Sequence, residues 1–239
     1  MKNAVPAILL FSLAIAGYVP AKAQTADDIV QKHITATGGA DNWKKITSVK
    51  KNCARMSRGV EIPVIITILQ GKGYKNEYTI NGMTGYTIIT DKAGWNFNPR
   101  GQQKPEAIPE ESVKQAQDRL DIQGPLIDYK AKGNTLTYLG IDDVEGTECY
   151  KLKVTMASGK EETIFIDVTT NYLVRTVEKT KANGKEQTQT TTYGDYQKLP
   201  EGIIYPMSFD NGGSSVTIKK LELNIPLAED FFSYAEHSK

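Results

Sequence analysis

Histidine and cysteine are scarce in this chain, with two of each in 239 residues. His33 and His237 lie at opposite ends, too few and too far apart for a metal triad or for most acid-base schemes. There is no Cys/His cluster at metal-ligand spacing, no glycine loop of the phosphate-cradling kind, and no serine in a nucleophile elbow. These absences argue against an enzyme, a metal site and a resident cofactor. A surplus of one charge is missing as well. The formal net charge is +1, without the basic excess that a phosphate backbone requires, so nucleic acid is excluded as a partner. No repeat or low-complexity linker divides the chain, and the only long apolar run is at residues 4–19.

That run follows Met1-Lys2-Asn3 and ends in Pro20-Ala21-Lys22-Ala23-Gln24. A positive end, an apolar core of about a dozen residues and an Ala-x-Ala step are the parts of a cleavable secretory signal peptide. The expected division is a signal peptide over 1–23 and a single domain over 24–239, sent to an exported compartment. An uncleaved anchor is the alternative, although Pro6 and Gly17 interrupt the run and it is short for a span of about 20 residues. Losing Lys2 and Lys22 would turn the net charge from +1 to −1. In an oxidising compartment Cys53 and Cys149 are free to pair; two buried thiols are the simpler state.

What the chain does have is alternation. Thr25 with Asp27 and Asp28 offers a capped first turn, and Ile29, Val30, His33, Ile34 and Thr37 recur at helical spacing until Gly38-Gly39. His33 reads as a helix-face residue. Trp43 and Ile46 then look inward from a second turn. From Ser48 to Pro99 the period is two, with about five strands in a meander. Pro109 to about Gln123 reads as one helix with Val113, Ala116 and Leu120 as its apolar stripe, set in an insertion near 100–133. Strands resume at Thr135 and continue to Ile225, with a short helix-like end around Asp230 to Ala235. Roughly eleven or twelve strands result.

In the stretch from Gly146 to Lys181, Tyr150, Leu152 and Val154 share one strand face, and Lys151 and Lys153 take the other. A covered apolar face with many tyrosines, 12 in all, suits an apolar ligand with a polar head, beside the ordinary alternative of core packing. The acidic pairs Asp27-Asp28, Glu110-Glu111, Asp142-Asp143 and Glu161-Glu162 are consecutive, so within strands they point to opposite faces, and solvated charge is their simplest role. The candidate cavity lining is Ile62, Val64, Ile66, Tyr78, Ile88 and Trp95 on one side and Tyr150, Leu152 and Val154 on the other, with Val113 and Leu120 from a helix expected to act as a lid.

The runs Asp91-Lys92-Ala93-Gly94-Trp95-Asn96-Phe97-Asn98-Pro99, Phe165 through Arg175, and Tyr193-Gly194-Asp195-Tyr196 followed by Gly202-Ile203-Ile204-Tyr205-Pro206 resemble the outer-membrane lipoprotein-sorting, or LolA/LolB-like, superfamily. The opening Gly38-Gly39, Trp43 and Ile46 is similar to its Bacteroidetes version. The resemblance covers nearly all of the expected mature chain. It implies a mainly β protein with a few helices, an incomplete antiparallel β-barrel (half-barrel) of about eleven strands closed by helices. It further implies a carrier whose cavity receives the acyl chains of a lipoprotein or free lipid, with inner- or outer-membrane proteins as donor or acceptor. The rival expectation is a non-enzymatic interaction or sensor domain whose concave sheet binds a protein partner.

Overall fold

The first element behaves as its sequence dictates. Thr25 accepts from the Asp28 amide and Asp28 reaches back to Thr25, a capping box that opens helix α1 (Ala26–Ala36). Its face of Ile29, Val30 and Ile34 is buried. Gly38 (φ 107°) and Gly39 (φ 83°) end it in the left-handed region. Gly38 also has no room for a side chain, because an added Cβ would lie 2.3 Å from the Gly202 carbonyl oxygen. That close approach docks the helix end on Ile203, and a short helix α2 (Ala40–Lys44) follows with Trp43 inward. These details come from a computed structural model that describes residues 25–182 and 185–233. The expected signal peptide, residues 183–184 and the end beyond Ser233 lie outside the described residues.

Among the described residues thirteen strands form one antiparallel sheet. The first meander is β1 (Ser48–Ser57), β2 (Val60–Leu69), β3 (Gly73–Ile80), β4 (Met83–Thr90), β5 (Gly94–Phe97) and a two-residue β6 (Glu106–Ala107). The second is β7 (Thr135–Val144), β8 (Thr147–Thr155), β9 (Glu161–Asp167), β10 (Leu173–Ala182), β11 (Lys185–Lys198), β12 (Ile204–Asp210) and β13 (Ser214–Leu223). Their order in space is β6-β5-β4-β3-β2-β1-β13-β12-β11-β10-β9-β8-β7, so β1 and β13 join the meanders while β6 and β7 remain as unpaired edges. The expectation of an open half-barrel is met, with two more strands than the eleven implied.

Registered partners share a face, and one line of them crosses much of the sheet. Ile62 faces Arg55, Arg55 faces Val216, Val216 faces Phe209 and Phe209 faces Tyr193. Two residues along β11, Thr191 faces Thr176, which faces Ile164, then Leu152 and Tyr138. This is the concave face. The core sits on it, where α1 and α2 press on Tyr150, Leu152, Val154, Ile164 and Ile166. Leu152 and Val154 are fully buried, as period-two alternation predicts.

The insertion departs from expectation. In place of one helix over 109–123 there is a six-residue α3 (Glu110–Gln115) followed by a 3-10 turn, Gln117–Leu120. Val113 and Leu120 pack with Ile89 and Tyr74 at the β4 end of the sheet, away from β8. The chain after them plugs the core, because Leu126 and Ile127 join the α1 cluster with Ile122 packed against it. Side chains fasten this segment: Gln70 bonds both Asp121 and the Ile122 amide, and Lys132 pairs with Asp121 at 2.5 Å. The tail after β13 runs over the convex face, where the Phe232 ring takes the space that a side chain at Gly73 would need. Its last described residues form a turn, with Phe231 and Ser233 amides bonded to Ala228 and Asp230, and no helix.

Candidate functional site

On the β1–β3 half of the concave face the described residues cover the sheet at one end, where the 3-10 turn Gln117–Leu120 meets β2, β3 and β4. Here successive cross-strand rows differ in kind. One row runs Val49, Ile68, Tyr74, Ile89, and the row two residues along each strand runs Leu221, Lys51, Ile66, Asn76, Thr87, Asn96. The next runs Ile218, Cys53, Val64, Tyr78. Val49, Ile68 and Ile89 are buried, as are Ile218, Cys53 and Val64, but every member of the middle row is half-buried. A half-buried streak with polar members, taken as the groove, therefore runs between two buried apolar rows.

Beside it, between the α2 end and β9–β12, lies a cavity of about 230 Å³. Its walls include Trp43, Ile122, Leu126, Ile164 and Leu173, and polar groups enter from the sheet side: Glu162, Thr176, Tyr193, Tyr196 and Tyr205. Asp195 takes a positive φ of 52° between Tyr193 and Tyr196, and both rings line the cavity. Tyr196 donates to the Leu173 carbonyl at 2.7 Å and stacks on Tyr172, so its hydroxyl is satisfied, and burial raises its pKa. Tyr205 bridges cavity and groove, with Trp43 at 5.9 Å on one side and the Lys51 ammonium 5.3 Å from its ring on the other.

Glu162 is the unusual group here. It is registered opposite Val154 and Glu178, which places it on the concave face, while Glu161 points out and pairs with Lys153. Burial pushes its carboxyl up to about 7 against the pull of the nearby Lys160 ammonium. Lys160 is itself held by Asp118 at 2.6 Å and Glu178 at 2.9 Å, a three-charge knot that ties the 3-10 turn to the sheet at the cavity lip. At neutral pH a good fraction of Glu162 is thus a neutral acid, able to donate as well as accept.

The residues expected to line a cavity divide into four groups. Tyr150, Leu152 and Val154 are on the concave face beneath α1 and the plug. Ile62, Val64, Ile66 and Tyr78 are on the same face in a second cluster with Cys53, Met207, Val216 and Ile218. Val113 and Leu120 form a separate small cluster. Ile88 and Trp95 have the opposite parity: they face each other and Ile88 faces Lys75, all on the convex side, where the C-terminal tail covers the sheet. Apolar content suggested that they point in, and the strand register turns them out, beside Lys75, whose ammonium lies 5.1 Å from the Phe231 ring of the tail.

Sequence reasoning missed Glu162, Lys51, Tyr193 and Tyr205. The parity signal was present for Glu162, since one member of a consecutive pair in a strand must face inward, but its partner face was unknown. His33 is the helix residue expected, with Nδ1 2.8 Å from the Asn171 carbonyl oxygen and its pKa lowered by burial. Cys53 and Cys149 are free and buried on opposite faces. Among the described residues no group of three metal-ligating side chains gathers, and no helix is long and apolar enough to cross a membrane.

The sequence matches no protein-family model, and no curated protein matches it. Solved structures do match in shape. A domain named for outer-membrane lipoprotein sorting, from Vibrio parahaemolyticus, superposes with a TM-score of 0.55 at 13% identity, covering 87% of this chain and 95% of that one. A LolA-superfamily protein from Nitrosomonas europaea gives 0.57 at 11% identity, with 88% and 98% covered. A DUF1329-family protein from Desulfovibrio piger gives 0.50 at 13% identity, with 86% and 96% covered. The chain has the fold of LolA-superfamily, lipoprotein-sorting domains.

Proposed function

We propose that this chain, with its LolA-superfamily fold, is a periplasmic carrier or chaperone that holds the acyl chains of a lipoprotein or lipid on its concave face. The name of the Vibrio domain ties that protein to outer-membrane lipoprotein sorting, and by extension this chain would serve the same traffic, exported by removal of residues 1–23. The observation that carries the reading is the half-buried apolar lining of the groove. Ile62, Ile66, Tyr78 and Phe209 are only partly covered on a face whose other half is closed by α1, α2 and the plug. Each methylene that an acyl chain buries there contributes about 0.8 kcal/mol, so binding needs no covalent chemistry. The ligand-contacting set is Ile62, Val64, Ile66 and Tyr78 near the groove, with Tyr150, Leu152 and Val154 forming the packed wall behind the plug. Val113 and Leu120 hold the lid segment at the β4 end.

Native mass spectrometry of protein isolated from its own compartment is the test. A retained lipid mass, released by organic solvent, is expected. Protein that carries no lipid and takes up none from vesicles, but copurifies stoichiometrically with another polypeptide, would replace the carrier with a domain that binds a protein partner.

A further inference from the structure

Lys51 projects from β1 into the concave groove, and its surroundings are apolar. Ile66 and Leu221 are its cross-strand neighbours, and Val49 and Cys53 precede and follow it on the same face. The charged-capable groups around it are Tyr205, Cys53 and Tyr74, with no carboxylate among them. This sets it apart from Lys75, Lys132, Lys151, Lys153 and Lys160, each of which reaches a carboxylate within 3.1 Å. Among the described residues no ion pair includes Lys51. An ammonium drawn out of water without a counter-ion costs stability that an apolar side chain at the same place would not.

Two further observations point to what would compensate it. Asn76 stands in the same row beyond Ile66, and its side-chain carbonyl oxygen is buried without a hydrogen-bond partner. Oxygen and nitrogen of an amide exchange places by a half turn, so this group can present a donor to the groove. Strand spacing puts Lys51 and Asn76 about 10 Å apart at the backbone, a gap that the long lysine side chain and a small head group can span over Ile66. On the other side of Lys51, the Tyr205 ring lies 5.3 Å from the ammonium, and its hydroxyl can supply another donor. The walls are apolar rows, and only one cation stands in this streak.

We infer that the groove holds an anion site centred on Lys51, with Asn76 and Tyr205 beside it, that takes the singly charged head of an acyl amphiphile such as a long-chain fatty-acid carboxylate. The inference rests on the acyl-carrier reading and adds the head group to it. A single unpaired cation between apolar rows matches one negative charge joined to a hydrocarbon tail. A free polyanion would leave its remaining charge against Ile66 and Leu221. Arg55, four residues along β1 on the same face, also has a buried Nε with no partner. It lies about 13 Å away along the strand, between Ile62 and Val216 rather than in the polar streak, and it serves as the internal control.

The experiment is calorimetric titration of the chain lacking residues 1–23 with dodecanoate and with dodecanol, which share a tail and differ in charge. Wild type, Lys51→Met, Lys51→Arg and Arg55→Met are compared at pH 8. A charge-assisted hydrogen bond implies that wild type binds dodecanoate about tenfold to a hundredfold more tightly than dodecanol. Lys51→Met removes that preference while leaving dodecanol within about twofold; Lys51→Arg and Arg55→Met keep it. Millimolar acetate or inorganic phosphate leaves dodecanoate in place, which separates a lipid head from a free anion. Displacement by either small anion, or a preference lost in Arg55→Met and kept in Lys51→Met, overturns the assignment. Equal binding of both ligands by wild type overturns the anion site and leaves the carrier standing, whereas no binding of either removes both. The wild-type ratio decides the matter even if a variant fails to fold.

Discussion

Glu162→Gln should make the protein more stable at pH 8 and leave it nearly unchanged at pH 4.5. The carboxyl ordinarily titrates at 4.5, and on the concave face burial raises it to about 7. Below pH 4.5 both folded and unfolded chains hold the proton, so the group costs nothing. As pH rises from 4.5 the unfolded chain gives up its proton and the folded one keeps it, so stability falls. The fall ends once the folded carboxyl ionises near pH 7. A displacement of that size corresponds to about 3 kcal/mol at pH 8, and Lys160, whose pull opposes burial, is already counted in it. Thr176 keeps a partner in the amide of glutamine, and Lys160 remains tied to Asp118 and Glu178, so the substitution removes charge and little else. Urea denaturation of both proteins at pH 4.5, 6 and 8 gives the difference directly. The exposed carboxylates Asp27, Asp142 and Glu222, whose pKa values are lowered by Lys130, Lys151 and Lys220, act with the opposite sign but cancel between the two proteins. For a chain of this size 3 kcal/mol is about 6 to 12 °C in melting temperature. A gap that is the same at pH 4.5 and pH 8 would show that Glu162 is ionised throughout, and would remove the neutral acid from the cavity.

Leu152→Ala, at a fully buried position beneath α1, should cost about 2 to 5 kcal/mol in urea denaturation; a loss under 1 kcal/mol would mean that the plug collapses into the space. Phe232→Ala should cost about 3 kcal/mol by removing the ring over Gly73, without weakening acyl-chain binding on the opposite face, as melting and fluorophore titration together would show. Cys149, buried with its thiol pushed up to about 11, should resist an aromatic disulfide reagent at pH 8 until the chain unfolds; immediate modification would contradict its burial. Amides of residues 110–120 should exchange with solvent before those of 150–154, because Val113 and Leu120 anchor only a small cluster, and added lipid should slow them. Equal protection in the free protein would make that segment a fixed part of the wall.

What the sequence determined by itself is much of what depends on neighbours a few residues apart, the helix expected over 109–123 being the exception. Thr25 and Asp28 close the cap of α1 whatever lies beyond them, Gly38-Gly39 ends it, and alternation alone puts Leu152 and Val154 on the face away from Lys151 and Lys153. A mainly β chain follows from the same short periods, although they yield eleven or twelve strands where the described residues form thirteen. Which face is concave is a different matter, because period two gives two faces and no sign. The sign comes from registers between strands far apart in sequence, and it changes at irregularities such as the one between Leu173 and Arg175 or between Asn52 and Cys53. Ile88 and Trp95 show the consequence: they are apolar and alternate correctly, yet their register with Lys75 puts them outside, on the face that a tail more than a hundred residues later crosses at Gly73. Glu162 and Lys51 show the converse. Each is an ordinary charged residue in a strand until the sheet curves and removes it from water, and only that curvature brings Tyr205 to Lys51 and gives the acid and the cation a place in the site.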